Sequence, residues 1–271
     1  MGRIIYTLSG MFTKQKLNHI FLQFVNMNPQ ALKRQTHFFA YGAPGGCFWK
    51  GGHVDHQCDI LTWNDIDNVA AEYTRQGCAM RLDFSGLNLD KEIPFDTFGK
   101  VSAELLDNGV NQICVSNNEA YDAFKAKFPN FPMAASEFNL QERDRDYLTI
   151  TRNAHNFDPK LPRVKAEILL HAPCDNCPVE KWGECVMASQ IAILTSSFES
   201  PILSCAKLHT NIHAIDDDKQ IEECIKQGFY KFQAFDWPHI TKQLEVYLYD
   251  LIKPEFREEG RNWIMLHYME D

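Results

Sequence analysis

The chain has 271 residues, 27 basic against 36 acidic, and a formal net charge of −9. That length suits one large domain and leaves room for a sizeable core. The acidic balance excludes a general backbone binder of DNA or RNA, which needs a basic surface. No run approaches the apolar length of a membrane span, and the first residues lack the apolar core of a secretory signal. A cytoplasmic location is therefore expected. Nine cysteines in such a compartment point to metal or redox chemistry rather than disulfides.

Residues 3–8 read as a short strand closed by Ser9-Gly10. Thr13 then stands where it can cap a helix with Leu17, Ile20, Phe21, Phe24 and Val25 on one face. A second strand, 37–41, ends at Gly42. The glycine-rich loop 43–53 follows it, with Cys47, Phe48 and Trp49, and is either a lid over a site or a packed surface loop and interface. Thr62 and Asp65 open a helix stopped at Gly77. Strand 78–84 comes next, then a helix over 95–108, a strand over 110–115 and a helix over 120–128. Short strands follow at 132–135 and 147–151, where the intervening helices look short or absent. The apolar run 164–170 reads as a buried strand. A helix over 216–227, a strand over 229–234 and a helix over 239–252 complete the alternation. Residues 254–271 read as a C-terminal packing helix or a dimer contact.

Eight strand-like runs alternating with helices predict an α/β fold, an irregular (β/α)8 TIM-like barrel spanning 1–271. A cysteine-containing insertion would follow its seventh strand. Residues just past the strands would then converge at one mouth. Candidates for catalysis are His171, Asp83 and Arg152, the last as a clamp for a carboxylate or phosphate. Tyr41, Asn117, Glu137 and Gln233 are candidates for binding substrate. Each has a structural alternative: Asn117 as a helix cap, Asp83 as an ion partner of Arg81 on the same strand face, His171 as a hydrogen-bonded structural residue. The chain holds no phosphate loop, because Gly45-Gly46 lacks the following Lys-Ser/Thr.

Past the run 164–170 come Cys174 and Cys177, a Cys-x-x-Cys pair that one metal can bridge, then Cys185 and, after a longer gap, Cys205. Four thiolates suit tetrahedral zinc or an iron–sulfur cluster, and a core role for the later two stays open.

Glu167-Ile168-Leu169-Leu170-His171-Ala172-Pro173-Cys174 with Cys177-Pro178, and Gly228-Phe229-Tyr230-Lys231-Phe232-Gln233, resemble stretches of the peptidase U32-like family of TIM-barrel proteins. Tyr41-Gly42 and Gly51-Gly52 are weaker echoes, and residues 37–253 follow the family's order of elements. His171 stands where the family has asparagine, and Ala234-Phe235 where it has Gly-Arg. The resemblance implies a barrel and, as in several members, a [4Fe–4S] cluster on Cys174, Cys177, Cys185 and Cys205. It also implies oxygen-independent hydroxylation, or a related modification, of a substrate at the barrel mouth, with a redox or protein partner. The alternative is a non-catalytic binding or scaffold protein with structural zinc or no metal.

Overall fold

The computed structural model describes residues 3–44, 47, 62–85, 97–115, 118–136, 148–151, 162–171, 219–237 and 239–270. Its strands are β1 (Ile4–Ser9), β2 (Thr36–Gly42), β3 (Ala79–Phe84), β4 (Gln112–Val115), β5 (Met133–Ser136), β6 (Leu148–Thr151), β7 (Ala166–Leu170) and β8 (Lys231–Ala234). Every strand pair is parallel. The described helices are α1 (Gln15–Met27), α2 (Trp63–Arg75), α3 (Thr97–Leu106), α4 (Asn118–Lys127), α5 (Lys219–Lys226), α6 (Ile240–Leu251) and α7 (Arg257–Met269). None of them is long and apolar enough to cross a membrane.

Local chemistry explains most boundaries. The Thr62 hydroxyl accepts from the Asp65 N–H while Asp65 accepts from the Thr62 N–H, a reciprocal cap that starts α2. Ile66, Val69 and Tyr73 form its buried face. Gly77, at φ +69°, turns the chain out of that helix in a conformation costly for any residue with a Cβ. In α1 the apolar face Leu17, Ile20, Phe21, Phe24 and Val25 is buried as its spacing requires. The cap expected from Thr13 is not made: Lys14 holds the N-cap position, with no side-chain cap bond. The start of β7 also differs. Residues 163–165 form a 3-10 turn, and Val164 is 67% exposed at the edge of the sheet rather than buried in it.

The (β/α)8 TIM-like expectation is corrected. What the described residues establish is an α/β fold, a curled sheet of parallel strands with helices on its outer side. Among the described residues the eight-fold strand–helix repeat is not met, because no α-helix is described between β5 and β7. Phe232 of β8 registers with both Ile168 of β7 and Tyr6 of β1. The strand order therefore runs from β1 to β8 and returns to β1. The cysteine segment expected after the seventh strand lies outside the described residues, as does most of the loop 43–53.

Alternation along each strand sorts the side chains. Tyr6, Leu8, Met80, Leu82, Phe84, Ile168 and Phe232 are buried against the helix layer. The opposite parity faces the interior of the curled sheet. Registered partners share a direction there: Ser9 with Tyr41, Tyr41 with Arg81, Arg81 with Gln112, and Asp83 with Cys114. Helix α7 packs on α1 and α6, and at Gly260 an added Cβ would stand 3.1 Å from the Phe24 ring.

Candidate functional site

The interior of the sheet holds two polar layers. The deeper one centres on Arg81 of β3, which is fully buried. Its Nη1 and Nη2 donate to Oε1 and Oε2 of Glu167 on β7 at 2.8 and 2.7 Å. Its Nε donates to Gln112 Oε1 at 2.9 Å, and Nη1 also reaches Gln233 Oε1 at 3.3 Å. The Phe39 ring lies 5.7 Å from the guanidinium carbon. This fork-to-fork pair links opposite parts of the sheet and satisfies both charges. Glu167, rather than a residue of the same strand, supplies the bidentate carboxylate that Arg81 meets.

The second layer lies toward the C-terminal ends of the strands. Asp83 Oδ1 accepts from the Ser85 hydroxyl at 2.5 Å and from the Ser85 N–H at 3.1 Å. The Tyr41 hydroxyl bonds to Asp83 and Ser85 and contacts the Cys114 thiol. Burial, and then the Asp83 charge, push the Tyr41 phenol well above its ordinary range. Burial first, and Asp83 second, also push the Cys114 thiol up. Tyr41 and Cys114 thus keep their protons near neutral pH, beside a carboxylate that can accept one. The arrangement places a proton acceptor, Asp83, beside two proton-bearing groups.

His171 is held elsewhere. It ends β7 in the left-handed region, at φ 54°, rare for a residue with a side chain. Its Nε2 lies 2.8 Å from Asp250 Oδ1, and the Tyr6 hydroxyl donates to Asp250 Oδ2 at 2.6 Å. Asp250 belongs to α6 and Tyr6 points to the helix layer, so the imidazole is anchored on the outer side of the sheet. Tyr41 and Asp83 face the inner side.

Of the residues expected at the site, the structure brings together Tyr41 and Asp83, and places Gln233 below them on Arg81. Arg152, Asn117, Glu137, Cys174, Cys177, Cys185 and Cys205 lie outside the described residues. Sequence reasoning missed Glu167, Asp250 and Cys114. Glu167 had a signal: an acid inside an apolar strand demands a buried cation. Asp250 had none, because its partners are remote in the chain.

Four of the nine cysteines, Cys47, Cys78, Cys114 and Cys224, are buried in the described structure. Burial raises the pKa of Cys78, Cys114 and Cys224, which makes them poor thiolate ligands. Among the described residues no group of three or more His, Cys, Asp or Glu side chains is placed to hold a metal ion.

The buried hydroxyls and thiols set an alkaline limit on stability. Tyr6, Tyr41, Tyr73 and Tyr247 are raised above 10.0, and Cys78 and Cys114 above 9.0, in each case chiefly by burial. Because the folded values are raised, their contribution is complete below the unfolded values and is lost as pH climbs past them. Urea midpoints are expected to hold steady to about pH 9 and then fall steeply. A midpoint unchanged up to about pH 11 would contradict the burial of these groups.

No family model matches the chain, and no curated protein matches it.

Proposed function

We propose that the chain is an iron–sulfur-dependent enzyme of the U32-like type, acting on a small polar substrate at the C-terminal end of the sheet. The observation that carries this reading is the shared end of two features. All strands are parallel, so the Tyr41–Asp83–Ser85–Cys114 layer lies toward the end at which β7 hands the chain, at His171, to the cysteine-bearing sequence. The donor chemistry fits as well. The thiols of Cys78, Cys114 and Cys224 are kept protonated by burial, and of the other six cysteines Cys174, Cys177, Cys185 and Cys205 are the ones that follow β7 within one stretch of sequence.

A [4Fe–4S] cluster held by those four residues would supply electron transfer, as an oxygen-independent hydroxylation or related modification needs. Asp83 serves as proton acceptor, Tyr41 as hydrogen-bond donor to substrate, and Arg152, Asn117 and Glu137 join them in binding. Gln233, fixed on Arg81, supports the layer from below. Reduced cytoplasm would keep the thiolates available, and a redox partner would deliver electrons.

Anaerobically purified protein is expected to be brown, with iron and sulfide near four per chain. Cys174→Ser is expected to lose most of that iron, while Cys78→Ser, which alters a buried core thiol, keeps it. Stoichiometric zinc without iron would establish the scaffold alternative, and full iron content in Cys174→Ser would overturn the ligand assignment.

A further inference from the structure

The strands enter the sheet at the end opposite the Tyr41–Asp83 layer, and the charges there fall on one side. The segments leading into β7, β8, β1 and β2 are residues 162–166, 226–231, 3–4 and 34–37. They carry Arg163, Lys165, Lys226, Lys231, Arg3 and Arg34, and not one Asp or Glu. The segments leading into β3, β4 and β5, residues 76–78, 107–111 and 128–132, carry a single charge, Asp107. Six cations thus stand at the entries of four neighbouring strands, on a chain whose net charge is −9.

The four segments are contiguous. The Arg163 guanidinium lies 5.4 Å from the centroid of the Phe229 ring, and a Cβ on Gly228 would stand 3.6 Å from the Arg163 side chain. The Ile5 N–H donates to Tyr230 O, and Ile5 registers with both Lys231 and His37. Arg3 donates to His37 Nδ1 at 3.0 Å. Arg34 meets Glu222 of α5 at 2.9 Å, which ties the entry of β2 to the helix before β8 and offsets one of the six charges. Arg3, Arg163 and Lys226 are exposed. Lys231 is half-buried; burial holds its amine below the usual lysine range, with the Glu167 charge opposing.

Two apolar side chains stand among these cations. Val164 is 67% exposed between Arg163 and Lys165, and Tyr230 is 43% exposed beside Lys231. The β7–β8 register puts Tyr230 level with Ala166, two residues from Val164.

We propose that this face, at the entries of β7, β8, β1 and β2, docks a short acidic segment of a partner protein, with Val164 and Tyr230 as its apolar contacts. Four neighbouring strands span about 15 Å, three spacings of about 4.8 Å each. About five extended residues cover that distance. A nucleic-acid strand fits less well. Strand binders stack successive bases on several rings, and Tyr230 is the one exposed aromatic among the described residues of this face. A longer polyanion would also run onto a surface more acidic than the chain as a whole. Charge complementarity of this kind selects the partner and speeds encounter, so binding is salt-sensitive. None of these residues lies in 172–218, so the face is independent of the iron–sulfur reading.

A fluorescein-labelled peptide of alternating glutamate and leucine is the probe, titrated with the full chain and followed by anisotropy at about 50 and about 200 mM salt. Saturable binding is expected, several-fold weaker at the higher salt. Arg3→Glu with Lys226→Glu is expected to weaken it about tenfold, and Tyr230→Ser about threefold. Lys100→Glu, which reverses a cation of α3 outside this face, should leave it unchanged. Urea midpoints check that each variant is folded, and iron content should not change in any of them. If the double reversal does not fold, Arg3→Gln with Lys226→Gln decides, with an expected loss of about threefold. Absence of saturable binding, equal weakening by Lys100→Glu, or wild-type affinity in the folded double variant would overturn the proposal. So would an oligouridylate or phosphatidylserine vesicles binding more tightly than the peptide, or self-association of the chain that the double variant abolishes.

Discussion

Replacing Arg81 with methionine is expected to destabilise the protein by about 3–5 kcal/mol. The side chain is fully buried and its guanidinium meets Glu167, also fully buried, in a bidentate pair. Methionine fills much of the volume but leaves the carboxylate in the interior with no cation. Gln112 and Gln233 each lose a donor at the same time. The effect comes from stranding a charge rather than from the attraction of the pair, which desolvation largely offsets. Arg81→Met with Glu167→Leu should therefore recover most of the loss. Urea denaturation of the two single variants and the double variant checks this. A double variant less stable than either single one would show that the pair itself holds the sheet together. The exposed helical pair of Lys100 and Glu104 is a control, since its removal should cost about 0.5 kcal/mol or less. Asp83 lies two residues beyond Arg81 on the same face of β3, so loosening this layer would also displace the Tyr41–Asp83 layer above it.

Replacing Asp250 with alanine is expected to cost about 3 kcal/mol or more. The Tyr6 hydroxyl and the His171 imidazole would both lose their acceptor, in a place where neither can turn to water. His171 also occupies a backbone region that a non-glycine residue holds only when its surroundings impose it, at a cost of about 1–3 kcal/mol. The bond from α6 is part of what imposes it. Asp250→Asn, which keeps the shape and one acceptor, should cost less than Asp250→Ala. Amide exchange at Leu170 and His171 should speed up in the alanine variant, because the exit of β7 is no longer tied to α6. Unchanged exchange there, with stability within about 0.5 kcal/mol of wild type, would show that the network carries no load.

The two networks mark where local reading stops. The sequence alone carried the order of strands and helices, since alternation along a strand and the spacing of an apolar helix face are set within a few residues. It carried the cap at Thr62 and Asp65, and the turn glycine Gly77 that follows the same helix. It also showed Arg81 and Asp83 on one strand face, because parity alone decides that. It did not show that Val164 would lie exposed, because an apolar residue at the end of a run looks the same inside or outside the sheet.

The partners were decided by tertiary structure. Arg81 meets Glu167 across 86 residues of chain, and His171 meets Asp250 across 79. Each pairing depends on how the strand registers add up around the curled sheet and on how α6 lies against it, and no window of sequence contains those distances.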